Sequence, residues 1–201
     1  MRGPVDRLTA RLPSPWRTVV DWLVTIAVAV AAVLAIKAWV VNPYRIPSPS
    51  MEPALHCSNG DGCLARFSDR VLANRFIYHF KDPERGDIVV FEVPERGVAS
   101  CGLPGSETFV KRLIGLPGER IAMREGVVYV DGRPLDEPYL ADGQRDNFDF
   151  VERRIPDDHY FMMGDNRPKS CDSRRWGAVP GENIIGEVFA VYWPPQRIGF
   201  P

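Results

Sequence analysis

Two serines stand two residues apart in the segment IPSPSMEP, residues 46–53. Its prolines restrict the backbone and favour an extended chain. Residues i and i+2 of an extended chain point to the same side, so the hydroxyls of Ser48 and Ser50 are expected to lie together. A serine hydroxyl held beside a base can act as a nucleophile. Composition alone, however, favours a linker rich in Pro and Ser.

A lysine provides a candidate base. Lys111 lies in the run FVKRLIG, residues 109–115, which predicts a strand with Phe109, Lys111 and Leu113 on one face. Burial between apolar neighbours would lower the pKa of the ammonium group. A neutral lysine amine can then take the proton of a serine hydroxyl without any histidine. The same pattern also fits a lysine that reaches into solvent from a strand edge.

A third segment, MGDNRPKSCDSR at residues 163–174, is dense in side chains that form hydrogen bonds. Such density is typical either of a solvated loop or of residues that hold catalytic groups in place. His56, His79 and His159 are the histidines of the chain, and none has the surroundings of a Ser-His-Asp triad. The sequence also lacks G-x-S-x-G and H-E-x-x-H motifs.

An apolar run, residues 19–41, precedes these segments, and its centre at residues 22–36 carries no charge. A helix needs about 20 residues to cross a bilayer core of about 30 Å. The run reaches that length because Lys37, near its end, can extend to the headgroups. A cleaved signal peptide is the alternative, but the residues after the run form a poor small-x-small cleavage site. The sequence therefore predicts a transmembrane signal-anchor helix at residues 18–41.

Positive charge before the helix predicts its orientation, because arginines and lysines stay on the cytoplasmic side. Residues 1–17 are expected to form a cytoplasmic tail, and residues 42–201 an extracytoplasmic β-rich catalytic domain. The arginines in question are Arg2, Arg7, Arg11 and Arg17.

The cysteines fit an oxidising compartment, where an even number predicts disulfides. Cys57 and Cys63 bracket a short polar loop and are the favoured pair, which leaves Cys101 and Cys171 by elimination. Zinc binding is the alternative for four cysteines, but no C-x-x-C pair is present, so no metal site is predicted.

Short β-branched runs between Pro and Gly residues predict a mostly β fold for the exported part, as a small barrel or coiled β-sandwich. Residues 131–154 are polar and rich in turns, and we expect a small cap or a mobile loop there. A formal net charge of −1 argues against nucleic acid as a partner. The predicted strands fall at residues 70–74 and 76–80, which form one strand or two, and at residues 87–93, 108–116, 127–130, 159–163 and 184–193.

In this order after an anchor, the segments resemble the signature boxes of bacterial type I signal peptidases. The matching stretches are IPSPSM (46–51), RGDIVVF (85–91), KRLIGLPGE (111–119) and GDNR with SCDSR (164–174). The proline between the two serines and the Pro168-Lys169 pair depart from the family pattern. The interval from Lys111 to Gly164 is also short for the family, which implies a reduced accessory β domain.

The resemblance implies a serine endopeptidase that needs no cofactor and removes signal peptides from exported precursors. Ser50 would be the nucleophile, Lys111 the general base, Ser48 an oxyanion-hole hydroxyl and Ser170 the residue that orients the lysine. Supporting roles would fall to Asp165, Arg167, Asp172 and Arg174.

Specificity for a small-x-small motif is expected from an apolar cleft beside the nucleophile. The candidate cleft residues are Ile46, Pro47, Met51, Leu55, Val90, Phe109 and Val110. The implied partners are signal-peptide-bearing precursors, the lipid bilayer and a neighbouring secretion translocon, at a bacterial cell membrane. Two other readings are a self-cleaving Ser–Lys regulator, which would need a further partner module, and a membrane-anchored β domain that only binds.

Overall fold

The computed structural model describes residues 14–39, 41–105 and 107–201, which fall into two units divided after Val41. In the first unit, helix α1 spans Ser14–Trp39. Residues 1–13, most of the predicted cytoplasmic tail, lie outside the described part. Within that part, no helix meets both the length and the hydropathy that crossing a bilayer requires.

The larger unit is mostly β, which confirms the predicted class. A seven-stranded sheet has the order β1-β2-β11-β3-β4-β9-β10, and a four-stranded sheet has the order β7-β6-β5-β8. The strands are β1 (Val41–Arg45), β2 (Arg70–Asn74), β3 (Ile88–Glu92), β4 (Thr108–Gly115), β5 (Arg120–Arg124), β6 (Val127–Val130), β7 (Arg133–Pro134), β8 (Phe150–Arg154), β9 (His159–Met163), β10 (Val179–Pro180) and β11 (Ile184–Trp193).

The middle of the large sheet is covered on both faces. β3 pairs with β11 on one side and with β4 on the other. Val89, Val90 and Phe91 are consecutive and completely buried, and they pack into two different apolar clusters. A strand buried on both faces reads as a continuous apolar run, as the sequence of β3 does. This rigid centre carries β4 and therefore Lys111.

β4 ends at Gly115, shortly before Pro117 and Gly118. The small sheet begins after them with β5. A tight turn at Asp131 and Gly132, both with positive φ, joins β6 to β7. Two-residue hairpin turns of this kind favour Asp-Gly, because glycine tolerates positive φ. Residues 131–154, expected as a cap or a mobile loop, contribute the edge strands β7 and β8 to this sheet.

One predicted strand is wrong. Residues 76–80 contain a single turn of 3₁₀ helix, Ile77–His79, in place of a strand. The side-chain oxygen of Asn74 accepts hydrogen bonds from the backbone N–H groups of Phe76 and Ile77 at 2.9 and 3.2 Å. An asparagine that bonds the backbone ahead of it turns the chain, and this overrides the β propensity of the aromatic residues.

Two short helices complete the unit: α2 (Glu95–Cys101) and α3 (Ser173–Trp176). Cys57 is joined to Cys63 and Cys101 to Cys171, the same two pairs that the sequence predicts. The second disulfide ties the end of α2 to the segment that leads into α3.

Candidate active site

The two serines meet across a turn. Ser48 is extended, but Pro49–Met51 form a 3₁₀ helix with a proline at its start, so the expected extended run is wrong there. The hydroxyls still lie 3.2 Å apart. Proline fits the first turn of a helix as well as an extended chain. A turn, and not strand alternation, therefore brings Ser48 beside Ser50.

Lys111 reaches this turn from β4. Its Nζ donates a hydrogen bond to Ser50 Oγ at 2.6 Å and another to the carbonyl of Val110 at 3.2 Å. Ser50 is 5% exposed and Lys111 is 3% exposed. The Phe109 ring lies 4.8 Å from the same Nζ, so an apolar face covers the amine. The candidate nucleophile and the candidate base are thus paired away from bulk water.

Burial lowers the pKa of Lys111 to about 8. The carboxylates of Asp172 and Asp165 oppose this shift, and the guanidinium of Arg174 adds to it. Desolvation disfavours a charged amine more than a neutral one, which is the physical cause of the change. A substantial fraction of Lys111 is therefore neutral near pH 8 and can accept the proton of Ser50.

The lowered pKa carries a cost in stability. The unfolded chain binds a proton at Lys111 between pH 8 and pH 10.5 that the folded protein does not, so stability rises with pH across this window and the penalty is complete below it. We expect Lys111→Met to raise the free energy of unfolding by up to about 3 kcal/mol at neutral pH. Denaturant unfolding at several pH values measures this. The gain should shrink above pH 8; a gain that is independent of pH would contradict the assignment.

The third predicted segment lies against Ser50. Gly164 is the residue after β9. It lies so close to Ser170 and Ser50 that a Cβ atom there would clash with Ser170 Oγ and with the carbonyl oxygen of Ser50. The Ser170 hydroxyl is buried and makes no hydrogen bond to another described residue, Lys111 included. Its expected role in orienting the lysine remains a prediction.

The supporting residues form buried ion pairs around this loop. Asp172 is completely buried, and its carboxylate accepts from the backbone N–H of Gly164 at 3.1 Å and from Arg174 Nε at 2.8 Å. Asp165 accepts two hydrogen bonds from Arg112, the residue after Lys111, at 2.9 and 2.6 Å. Burial raises the pKa of Asp165, and Arg112 opposes that shift. The Asp165–Arg112 pair joins the loop to β4.

An apolar cleft of about 290 Å³ opens beside the two serines. Of the predicted cleft residues, five line it: Ile46, Pro47, Met51, Phe109 and Val110. Leu55 and Val90 do not, and both are completely buried in the same core cluster. Val90 lies on the covered central strand β3, and the chain at Leu55 folds back, with its N–H donating to the carbonyl of Met51 at 2.8 Å.

A family model described as "Signal peptidase, peptidase S26" matches residues 19–193. The chain belongs to this family. The expectation of a peptidase of the signal peptidase kind is thereby confirmed.

Related signal peptidases match most of the chain. "Probable signal peptidase I-1" of Synechocystis sp. is 37% identical over 94% of this chain and 89% of its own length. "Signal peptidase I" of Bacillus licheniformis is 32% identical over 89% of this chain and 90% of its own. A solved signal peptidase I from Enterococcus faecalis is 31% identical, with a TM-score of 0.43, and the match covers 54% of this chain and 97% of that one.

In the present chain, the cleft is also lined by residues that the sequence analysis did not predict: Tyr44, Arg45, Leu103, Glu107 and Thr108. Tyr44 and Arg45 adjoin the predicted segment at residue 46, so their position could have been found by extending that segment. Leu103 and Glu107 belong to the connection between α2 and β4. No pattern in the sequence indicates where a connection of this kind will lie.

Proposed function

We propose that this chain is a membrane-anchored serine endopeptidase that removes N-terminal signal peptides from exported precursors after small-x-small motifs. The proposal rests on one observation above all: the 2.6 Å hydrogen bond between the buried Lys111 Nζ and Ser50 Oγ. A lysine with a pKa near 8 beside a serine is the pairing that allows acyl transfer without histidine.

The chemistry would run in two steps. Lys111 accepts the hydroxyl proton while Ser50 Oγ attacks the scissile carbonyl, and the resulting ammonium gives that proton to the departing amine. Water then hydrolyses the acyl-enzyme, with Lys111 again as the base. The hydroxyl of Ser48, 3.2 Å from Ser50 Oγ, would donate to the developing oxyanion together with the backbone N–H of Ser50. Ser170 would orient the protonated lysine.

The cleft would select the substrate. An extended peptide presents alternate side chains to the surface on which it lies. The cleft is small and its walls include Ile46, Met51 and Phe109, so short apolar side chains would fit at alternate positions. Bulky or charged side chains at those positions would be excluded by size and by desolvation.

Helix α1 would serve as the anchor, with the arginines before and at its start (Arg2, Arg7, Arg11 and Arg17) in the cytoplasm and residues 42–201 outside a bacterial cell membrane. Its apolar side chains are exposed in the isolated chain, for example Trp22 at 66%, Val28 at 63% and Val33 at 63%. A continuous exposed apolar surface needs a partner, and lipid provides one. Ser50 lies only nine residues past Val41, so a precursor still held in the bilayer near the translocon would be within reach.

Activity should depend on pH through Lys111. Below pH 8 the amine is protonated and cannot accept the proton of Ser50. We expect kcat/KM to rise about tenfold per pH unit below this value and to level off above it. Initial rates of precursor cleavage between about pH 6 and about pH 10 measure the profile. A profile that stays flat below pH 8 would show that another group limits the reaction.

The deciding experiment compares two precursors in detergent with the full-length protein. One carries an Ala-x-Ala site, and the matched control carries bulky residues at both Ala positions. Release of the mature N-terminus from the first alone, identified by mass spectrometry, supports the proposal. Failure to cleave any precursor would favour the alternative of a domain that only binds.

A further inference from the structure

Glu52, two residues after the nucleophile, has a side chain that the chemistry above does not use. It is completely buried, although a carboxylate is costly to bury without partners. No lysine or arginine forms a described ion pair with it. Its described side-chain partners are two backbone N–H groups and the ring of His56.

These partners lie on one small structure, the loop closed by the Cys57–Cys63 disulfide. Glu52 Oε1 accepts from the N–H of Cys57 at 2.9 Å and from the N–H of Leu64 at 3.1 Å, so it bridges the two ends of this loop. Glu52 Oε2 accepts from Nδ1 of His56, the residue just before the loop. A single carboxylate therefore fastens the chain after Ser50 to a covalently closed ring.

Apart from the burial of Met51 in the core and the hydrogen bond from Leu55 to its carbonyl, the turn that carries Ser50 has few described restraints. No side chain caps the 3₁₀ helix Pro49–Met51. The carbonyl of Ser50 accepts from the N–H of Asn166 at 3.0 Å, which fixes one side. On the other side, Gly62 of the disulfide loop approaches Pro49, where a Cβ atom would lie 3.3 Å from the Pro49 ring. Glu52 supplies the hydrogen bonds that hold the loop against the turn on this second side.

We infer that Glu52 is a positioning residue, which holds the Ser50 turn against the disulfide loop and thereby directs Ser50 Oγ at Lys111 Nζ. It touches neither substrate nor the reacting atoms and acts only through the backbone. The inference rests on the proposed function for its kinetic consequence. Proton transfer needs a short distance, and a misplacement of about 1 Å costs about 100-fold in rate.

The test compares Glu52→Leu, which has similar size and no acceptor, with Glu52→Gln, which keeps one carbonyl oxygen for both N–H groups. In the precursor assay we expect Glu52→Leu to lower kcat by about 10- to 100-fold with KM nearly unchanged. Glu52→Gln should restore most of the lost kcat. Glu52→Asp, whose shorter side chain cannot reach both N–H groups, should fall between them and serves if the leucine variant does not fold.

A stability control separates positioning from folding. Val128→Ala removes buried apolar atoms from the small sheet, remote in sequence from every site residue, and should lower Tm with kcat unchanged. If Glu52→Leu and Glu52→Asp keep the wild-type kcat, the positioning role is wrong even though the enzyme is active. If the wild type is inert, the proposed function fails instead.

Amide hydrogen exchange tests the contact without any substrate. The N–H groups of Cys57 and Leu64 should exchange faster in Glu52→Leu than in the wild type, because they lose their acceptor. Unchanged exchange at both positions would overturn the inference whatever the activity.

Discussion

Cleavage of an Ala-x-Ala precursor is expected to fall by about 10⁴-fold or more when Ser50 is replaced by alanine, and by a comparable factor in Lys111→Met. The first change removes the attacking oxygen, and the second removes the base that lies 2.6 Å from it. Groups that act as one unit do not contribute additively. The double variant should therefore be little slower than either single one.

Matched variants make this result specific. Ser100→Ala removes a hydroxyl that only caps a carbonyl on the exposed side of α2, and Lys81→Met removes a partly exposed lysine paired with Glu187. Both should retain the wild-type rate. Single-turnover rates with excess enzyme, read by mass spectrometry of the mature product, give the comparison. Activity of Ser50→Ala within tenfold of the wild type would remove Ser50 from the mechanism.

Lys111→Met also separates stability from function. The same substitution that abolishes cleavage is expected to stabilise the fold at neutral pH, since it removes a buried group whose charged form is poorly solvated. Loss of activity in this variant therefore cannot be attributed to unfolding.

The second large effect is on stability. Glu137 and Arg167 form an ion pair whose side chains are both completely buried. Replacing Glu137 by leucine leaves the guanidinium of Arg167 in the interior without its carboxylate, which typically costs about 3–5 kcal/mol. For a protein of this size we expect Tm to drop by about 10 °C. Thermal unfolding followed by circular dichroism measures the change.

The double variant Glu137→Leu/Arg167→Met should recover much of this loss, because apolar residues can replace a buried ion pair. Glu152→Ala provides the control. Its partner Arg120 is 59% exposed, and an exposed pair contributes at most about 1 kcal/mol. Equal destabilisation by Glu137→Leu and Glu152→Ala would show that burial of the first pair has no energetic consequence.

Chemistry was easier to predict than geometry. The resemblance to the signature boxes of type I signal peptidases singled out Ser50 and Lys111, since their residue types alone also fit a linker and a lysine that reaches into solvent. The local path was not predictable in the same way. Proline at position 49 is compatible with an extended chain and with the first turn of a 3₁₀ helix, so the conformation depends on contacts with residues distant in sequence, such as the hydrogen bond from Asn166 to the carbonyl of Ser50.

Strands were predictable where their burial is one-sided or complete, as in β3 and β11, because period and length then leave a clear pattern. The strand predicted at residues 76–80 is wrong because the side-chain oxygen of Asn74 accepts hydrogen bonds from the next turn of the chain. These bonds outweigh the β propensity of several aromatic residues. Glu52 was not predicted, since a buried carboxylate with backbone partners leaves no signature in sequence. Leu55 and Val90 adjoin the site along the chain or the sheet, but their side chains are buried in the core and do not line the cleft.

The position of β11 has a consequence for biosynthesis. This strand, residues 184–193, lies between β2 and β3, so the sheet that supports Lys111 lacks an inner strand until this segment has been made. During synthesis from the N-terminus, Ser50 and Lys111 are made before β11. The sheet behind Lys111 therefore cannot be completed before the segment of β11 has been synthesised.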